Sequence, residues 1–169
     1  MSSDGHQVVV CPGSYDPVTN GHLDIIGRAA RVFDKVVVGV VGDQVRKQAP
    51  LFSAEERKAM LEEATADLPN VEVEIFRELL VEFAHRTGAT AVVKGLRAIS
   101  DFEYEFEMAQ LNRMLDPEIE SIYIIASPNY SFLSSTGVKE MATFGGDVSE
   151  LVPGPVAAAL SERLAREAR

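Results

Sequence analysis

Apolar and polar positions follow two different periods along the chain, one typical of buried strands and one of amphipathic helices. Short runs rich in valine and isoleucine predict strands at 8–11, 35–41, 71–76, 91–93 and 122–126. The run from Val36 to Val41 is apolar or glycine at every position, which is typical of a strand buried on both faces of a parallel sheet.

Segments with helical periodicity lie between these strands and continue after the last one. Ser53 and Glu56 have capping-box spacing at the second helix, Gly88 predicts the end of the third, and Ser100–Asp101 are expected to cap the fourth. The predicted helices span about 23–33, 54–65, 79–87, 101–115, 134–144 and 154–169.

Strands that alternate with helices predict an α/β fold, a doubly wound five-stranded parallel sheet with helices on both faces. We expect a single domain over residues 1–169, with residues 1–6 flexible. If the strand order is 3-2-1-4-5, the first and fourth strands flank the switch in strand order, where such folds bind ligands. Three segments that follow strands would then converge on one pocket: 13–22, 94–97 and 130–136.

Composition and charge narrow the classes of function. The net charge of −10 argues against a nucleic-acid-binding surface. The chain has no apolar run of roughly 18 residues and no signal-peptide pattern, so we expect a cytoplasmic protein without a membrane partner. The single cysteine, Cys11, is expected to be buried and structural, and the scattered histidines lack zinc-ligand spacing.

The residues Thr19–His22 carry the strongest chemical signal. They lead from a strand into a helix, whose free first-turn amides and dipole favour an anion. Gly21 permits close approach to the backbone, and His22 adds a donor for charge that moves onto a phosphate oxygen. The dinucleotide fingerprint and the phosphate loop are absent after the first strand, which disfavours hydride transfer and standard NTPase chemistry. An ordinary helix start, with Thr19 as its cap, fits the same residues.

Four motifs together resemble the bacterial phosphopantetheine adenylyltransferases. They are P-G-S-Y-D-P-V-T-N-G-H at 12–22, V-K-G-L-R at 93–97, D-F-E-Y-E at 101–105 and Y-S-F-L-S-S-T at 130–136. T-x-G-H alone marks only the wider nucleotidyltransferase superfamily, whereas D-F-E-Y-E shortly after K-G-L-R is more specific. The resemblance implies a Rossmann-like domain that joins ATP to 4′-phosphopantetheine with Mg²⁺. The products would be dephospho-coenzyme A and pyrophosphate, in the penultimate step of coenzyme A synthesis.

The resemblance also implies roles for the residues at matching positions. His22 would stabilise the transition state, and Ser14 would lie between the two substrates. The implied catalytic set is His22, Ser14, Arg46, Lys94 and Arg97. The implied ATP site is Ser14, Tyr15, His22, Gly95, Leu96, Arg97, Glu105, Tyr130, Ser131, Phe132, Leu133, Ser134, Ser135 and Thr136. The implied contacts to 4′-phosphopantetheine are Ser14, Arg46, Leu80 and Lys94.

The sequence alone leaves several points open. We prefer Arg46 over Lys47 as the phosphate contact in the loop after the second strand. The rival enzymes are related nucleotidyltransferases that act on nicotinamide mononucleotide or use CTP, and the rival class is a non-catalytic adenine-nucleotide sensor. The helix 101–115 carries more apolar residues than one stripe needs, which predicts a second buried face. The resemblance implies a homohexamer of two trimers, and coenzyme A is a further expected ligand, acting by feedback.

Overall fold

Five parallel strands form one sheet in the computed structural model, which describes residues 5–43 and 49–167. The strand order is β3-β2-β1-β4-β5, which is the order that the sequence analysis assumed for a common pocket, so β1 and β4 are neighbours at the switch point. The strands are β1 (Val8–Gly13), β2 (Lys35–Val41), β3 (Val71–Phe76), β4 (Ala91–Leu96) and β5 (Glu120–Ile125).

Helices lie between these strands and after the last one, and they begin close to their predicted positions, with two differences. They are α1 (Asn20–Val32), α2 (Ala54–Ala64), α3 (Leu80–Thr87), α4 (Ile99–Leu115), α5 (Ser135–Thr143) and α6 (Gly154–Glu167). The first helix begins earlier than predicted because Thr19 is its N-cap. The expected cap of α4 at Ser100–Asp101 is wrong: α4 begins at Ile99 without a side-chain cap, and the Asp101 carboxylate instead accepts the Arg97 backbone N–H at 3.1 Å.

Side chains of β2 alternate between two buried layers, one on each face of the sheet. Val36, Val38 and Val40 pack in the layer that holds buried residues of α1, α2, α5 and α6. Val37 packs in the layer of Phe83 from α3. Helices therefore cover both faces, as predicted, and continuous burial explains the apolar run in β2.

Cys11 of β1 is buried, as predicted. Burial raises the pKa of its thiol to about 12, so the group is protonated and inert near neutral pH. The prediction that residues 1–6 are flexible stays a prediction, because residues 1–4 lie outside the described ranges. Within residues 5–43 and 49–167, no helix is long and apolar enough to cross a membrane.

Candidate active site

A cleft of about 640 Å³ lies at the carboxyl ends of β1, β4 and β5, where the three predicted segments meet. The residues predicted for the site that border it are Ser14, Tyr15, His22, Lys94, Gly95, Arg97, Glu105, Tyr130, Leu133, Ser134, Ser135 and Thr136. Four others are not among the wall residues: Leu80, Leu96, Ser131 and Phe132. Arg46 and Lys47 lie outside the described residues. We call residues 13–22 the first rim and residues 94–105 the second rim.

His22 in the first rim has a ring orientation that its own helix start determines. Thr19 and His22 form a capping box: the Thr19 hydroxyl accepts the His22 backbone N–H at 3.3 Å, and His22 Nδ1 accepts the Thr19 backbone N–H at 3.0 Å. Because Nδ1 accepts a backbone proton, the neutral ring carries its own proton on Nε2. That Nε2–H has no acceptor among the described residues.

The environment of His22 keeps its ring neutral. Burial, together with the charge of Arg97, lowers the pKa of this histidine from 6.5 to about 4. Tyr15 contacts the imidazole edge-on, with ring centroids 4.9 Å apart. The first rim therefore presents a neutral N–H donor to the cleft at neutral pH.

The second rim carries two cations, and each is paired with a carboxylate of α4. Lys94 Nζ lies 2.8 Å from a carboxylate oxygen of Glu105. Arg97 donates to Asp101 at 3.2 Å and to the Leu133 carbonyl at 2.7 Å, which joins β4 to the loop before α5. The sequence identified both cations but not these partners, which hold the cations in fixed positions.

Lys139 of α5 is a third cation on the cleft wall, and its partner Asp16 was not predicted from the sequence. Lys139 Nζ lies 2.9 Å from Asp16, which is only 2% exposed. The Leu51 and Phe52 backbone N–H groups donate to the same carboxylate, each at 2.9 Å. No periodic pattern marks Asp16, because its partners come from distant segments.

Two helix N-termini face the cleft. Ser134 caps α5 by accepting the Gly137 N–H at 3.0 Å, and the Ser135 hydroxyl donates to the Pro17 carbonyl at 2.7 Å. The second contact ties the start of α5 to the first rim. Because first-turn amides and the helix dipole favour anions, the cleft is suited to a ligand with several phosphates.

Acidic residues on the cleft wall are already engaged. Asp16, Asp101 and Glu105 each pair with a cation, and the described residues contain no group of three or more histidine, cysteine or acidic side chains placed to hold a metal ion.

Comparison with known proteins assigns the chain to a family. The profile of the cytidylyltransferase-like family matches residues 10–141. The chain is 58% identical to the phosphopantetheine adenylyltransferase of Rubrobacter xylanophilus, over 86% of this chain and 88% of that protein. It is 52% identical to the enzyme of the same name from Caldanaerobacter subterraneus, over 93% of this chain and 97% of that protein.

The fold agrees with this assignment. A Vibrio parahaemolyticus structure, provisionally named a nicotinate-nucleotide adenylyltransferase, superposes with a TM-score of 0.67 and covers 96% of each chain. Its sequence identity is only 17%, so it supports the fold alone. The strand order and the T-x-G-H helix start agree with the profile match, and more than half of the aligned residues are identical in both relatives. The chain therefore belongs to the cytidylyltransferase-like family and, within it, to the phosphopantetheine adenylyltransferases.

Proposed function

We propose that the protein transfers the adenylyl group of ATP to 4′-phosphopantetheine and releases pyrophosphate and dephospho-coenzyme A. The observation that carries the proposal is the neutral Nε2–H of His22, presented between two helix N-termini in a cleft with three cations. Such a donor stabilises negative charge that builds on an oxygen of the α-phosphate. The neutral imidazole is a very weak acid, so His22 keeps its Nε2 proton while it donates this hydrogen bond.

The reaction needs no protein nucleophile and no general base. An oxygen of the 4′-phosphate forms a bond to the α-phosphorus of ATP while the bond between that phosphorus and the bridging oxygen to the β-phosphate breaks. Pyrophosphate leaves with the bonding electrons, and no covalent enzyme intermediate forms. Catalysis then depends on holding two anions in line and on matching the developing charge.

The residues of the two rims divide between the substrates. Ser14 would lie between them, and the backbone after it would face ATP, together with Tyr15 and Arg97. Lys94 would neutralise the phosphate of 4′-phosphopantetheine, as would Arg46 in the loop after β2. The ion pairs at 94 and 97 support these roles because cations held by a carboxylate need little reorganisation when a phosphate arrives.

Lys139 adds a further cation to the residues whose roles the family resemblance implies. It shares the cleft wall with Ser134 and Thr136, at the start of α5, where the β- and γ-phosphates of ATP would be cupped. Asp16 holds its ammonium group from a buried position. Leu80 and Phe132 would act only if the substrate reaches beyond the cleft wall seen here.

Magnesium would enter with ATP. The paired state of Asp16, Asp101 and Glu105 favours coordination by phosphate oxygens and water rather than by a protein cage. When bound, the ion would neutralise charge on the triphosphate; the residues described above would supply positioning and hydrogen bonds.

Pyrophosphate release from the purified protein tests the reaction directly. The assay contains ATP, Mg²⁺ and 4′-phosphopantetheine, with controls that omit each, and a parallel arm with nicotinamide mononucleotide. Release that requires 4′-phosphopantetheine supports the proposal. Release only with the mononucleotide would indicate a related nucleotidyltransferase, and ATP binding without any release would indicate the sensor. Replacing Mg²⁺ with EDTA should abolish release.

Assembly into a homohexamer of two trimers is part of the proposal. In α4, the described side chains include one buried residue, Asn112, whereas Phe102, Tyr104 and Phe106 are each more than half exposed. Exposed aromatic side chains on one helix favour contact with a second copy. Sedimentation equilibrium should give six times the chain mass of 18.4 kDa, and Phe106→Glu should lower it. A monomeric wild-type protein would contradict the assembly.

Coenzyme A would act as a feedback ligand, because it contains the pantetheine and adenylyl parts of the product and so fits both halves of the cleft. Competition with ATP in the pyrophosphate assay would support this role, and no inhibition would contradict it. The cytoplasmic location expected from the sequence stays a prediction.

A further inference from the structure

Arg57 of α2 is a fully buried cation directly behind the first rim. Its guanidinium group is 0% exposed and is not among the residues that border the cleft. A buried charge is costly unless its donors are matched by acceptors. The contacts of Arg57 therefore indicate what the chain gains from placing a cation there.

Three segments supply four acceptors: the first rim, the end of β2 and the residues before α2. Nη1 donates to the Ser14 carbonyl at 2.6 Å and to the Val41 carbonyl at 2.9 Å, which joins the carboxyl ends of β1 and β2. Nε donates to the Phe52 carbonyl at 3.0 Å, and Nη2 forms an ion pair with Asp43. The rigid fork of the guanidinium matches this arrangement, and a lysine ammonium would not reach all four acceptors.

The contact with Ser14 determines how the next peptide is oriented. In a planar trans peptide the C=O and N–H bonds point in opposite directions. The Ser14 carbonyl points to Arg57, so the Tyr15 N–H points away from it. This N–H has no acceptor among the described residues, and Tyr15 lies on the cleft wall. Tyr15 also has a φ of 53°, an uncommon value for a bulky residue that needs support from its surroundings.

We propose that Arg57 is a positioning residue, which holds the Ser14–Tyr15 peptide so that the Tyr15 N–H is offered to a phosphate oxygen of the nucleotide. The inference rests on the proposed function for its ligand. Arg57 does not touch substrate; it acts through the Ser14 carbonyl. The same clamp joins the first rim to Asp43, just after β2.

Selective ¹⁵N-tyrosine labelling tests this role, because the chain has only 4 tyrosines. Tyr15→Phe identifies the Tyr15 amide signal by its loss. In the wild-type protein, a non-hydrolysable ATP analogue should shift this signal and slow its hydrogen exchange. In Arg57→Lys, the shift should fall to less than half. If the nucleotide changes neither the chemical shift nor the hydrogen exchange of the wild-type Tyr15 amide, the proposal is wrong. This test does not require any variant of Arg57 to fold.

The matched control is Asn70→Ala. Asn70 lies at the amino end of β3, whereas the cleft lies at the carboxyl ends of the strands. Asn70 also uses its side chain to hold two backbone carbonyls, those of Ala30 and Phe33, at 2.8 and 3.1 Å. This variant should lower the melting temperature and leave the Tyr15 response unchanged. A buried arginine with only a structural role would make Arg57→Lys behave in the same way, and that result would also overturn the proposal.

Steady-state kinetics give the second readout. Arg57→Lys should lower kcat by about 10- to 100-fold at saturating substrates, because small displacements of a positioning group weaken transition-state contacts. Asn70→Ala should keep the wild-type kcat, and an equal loss in both variants would contradict the role of Arg57. The amide titration needs only nucleotide, so it tests Arg57 separately from the proposed reaction. If the acceptor substrate is not 4′-phosphopantetheine, the wild type releases no pyrophosphate, but the Tyr15 signal still responds to nucleotide. If the role of Arg57 is wrong, the Tyr15 response in Arg57→Lys matches the wild type.

Discussion

The two rims of the cleft present their donors in different ways. In the first rim, a local capping box orients His22, burial and the charge of Arg97 keep its ring neutral, and the buried Arg57 supports the loop from behind. In the second rim, Lys94 and Arg97 carry full charges that are paired with carboxylates of α4. The first arrangement suits an interaction that strengthens as charge develops, and the second suits the binding of a charge already present. We therefore expect changes in the first rim to lower kcat and changes in the second to raise KM.

The largest expected effect is at His22. His22→Asn should lower kcat by about 10²- to 10³-fold, the usual cost of losing one donor to a developing oxyanion. The shorter amide can still accept the Thr19 N–H, so the helix cap is retained. The affinity for ATP, measured by calorimetry, should change little.

His22→Gln is the matched control for that variant. Its amide nitrogen can occupy the place of Nε2 as a donor, and glutamine also suits the third position of a capping box. It should be more active than His22→Asn. If kcat and ATP affinity fall by the same factor in both variants, the role of His22 in the transition state is wrong.

A smaller effect is expected at Lys94, which tests the second rim. Lys94→Ala should raise the KM for 4′-phosphopantetheine by about 10- to 100-fold, because a charged hydrogen bond to a phosphate contributes about 1.5–3 kcal/mol. The KM for ATP should change less. Lys94→Arg keeps the charge and should stay near wild type. An unchanged KM for 4′-phosphopantetheine in Lys94→Ala would show that Lys94 does not contact that substrate.

The smallest effect concerns the charge of His22 between pH 8 and pH 5. With its pKa lowered to about 4, this ring should stay neutral and protonated on Nε2 across that range. Long-range ¹⁵N NMR of the imidazoles, assigned with His22→Gln, measures the state directly. A His22 titration with a midpoint near 6.5 would contradict the neutral-donor mechanism.

The lowered pKa of His22 also predicts how the folding stability depends on pH. The unfolded chain takes up a proton at His22 as the pH falls below 6.5, whereas the native protein does not until about 4. The stability contributed by this site is therefore full above pH 6.5 and is lost between 6.5 and 4. Denaturant unfolding should show a weaker loss over this window in His22→Gln than in the wild type.

Local patterns predicted most of the fold but failed where a side chain bonds a group outside its own helix or strand. The strand runs and the capping box at Ser53 were predicted correctly, because these signals depend on residues close together in the chain. Thr19 was expected to cap α1 only as an ordinary helix start, and its reciprocal contact with His22 was not predicted. The cap at Ser100–Asp101 was wrong because Asp101 pairs with Arg97 at the end of β4. The apolar residues of α4 were predicted to be buried on two faces, yet Phe102 and Phe106 are exposed in the single chain.

The sequence by itself determined the strands, the likeness of the chain to a known family and the identity of the donor His22. These features depend on neighbouring residues and on motif spacing. The tertiary structure decided which charged and polar groups face each other. Lys139 meets Asp16 across 123 positions, and Arg57 meets Ser14 across 43. Such contacts depend on which strand ends lie side by side in the sheet, and the order of residues along the chain does not specify them.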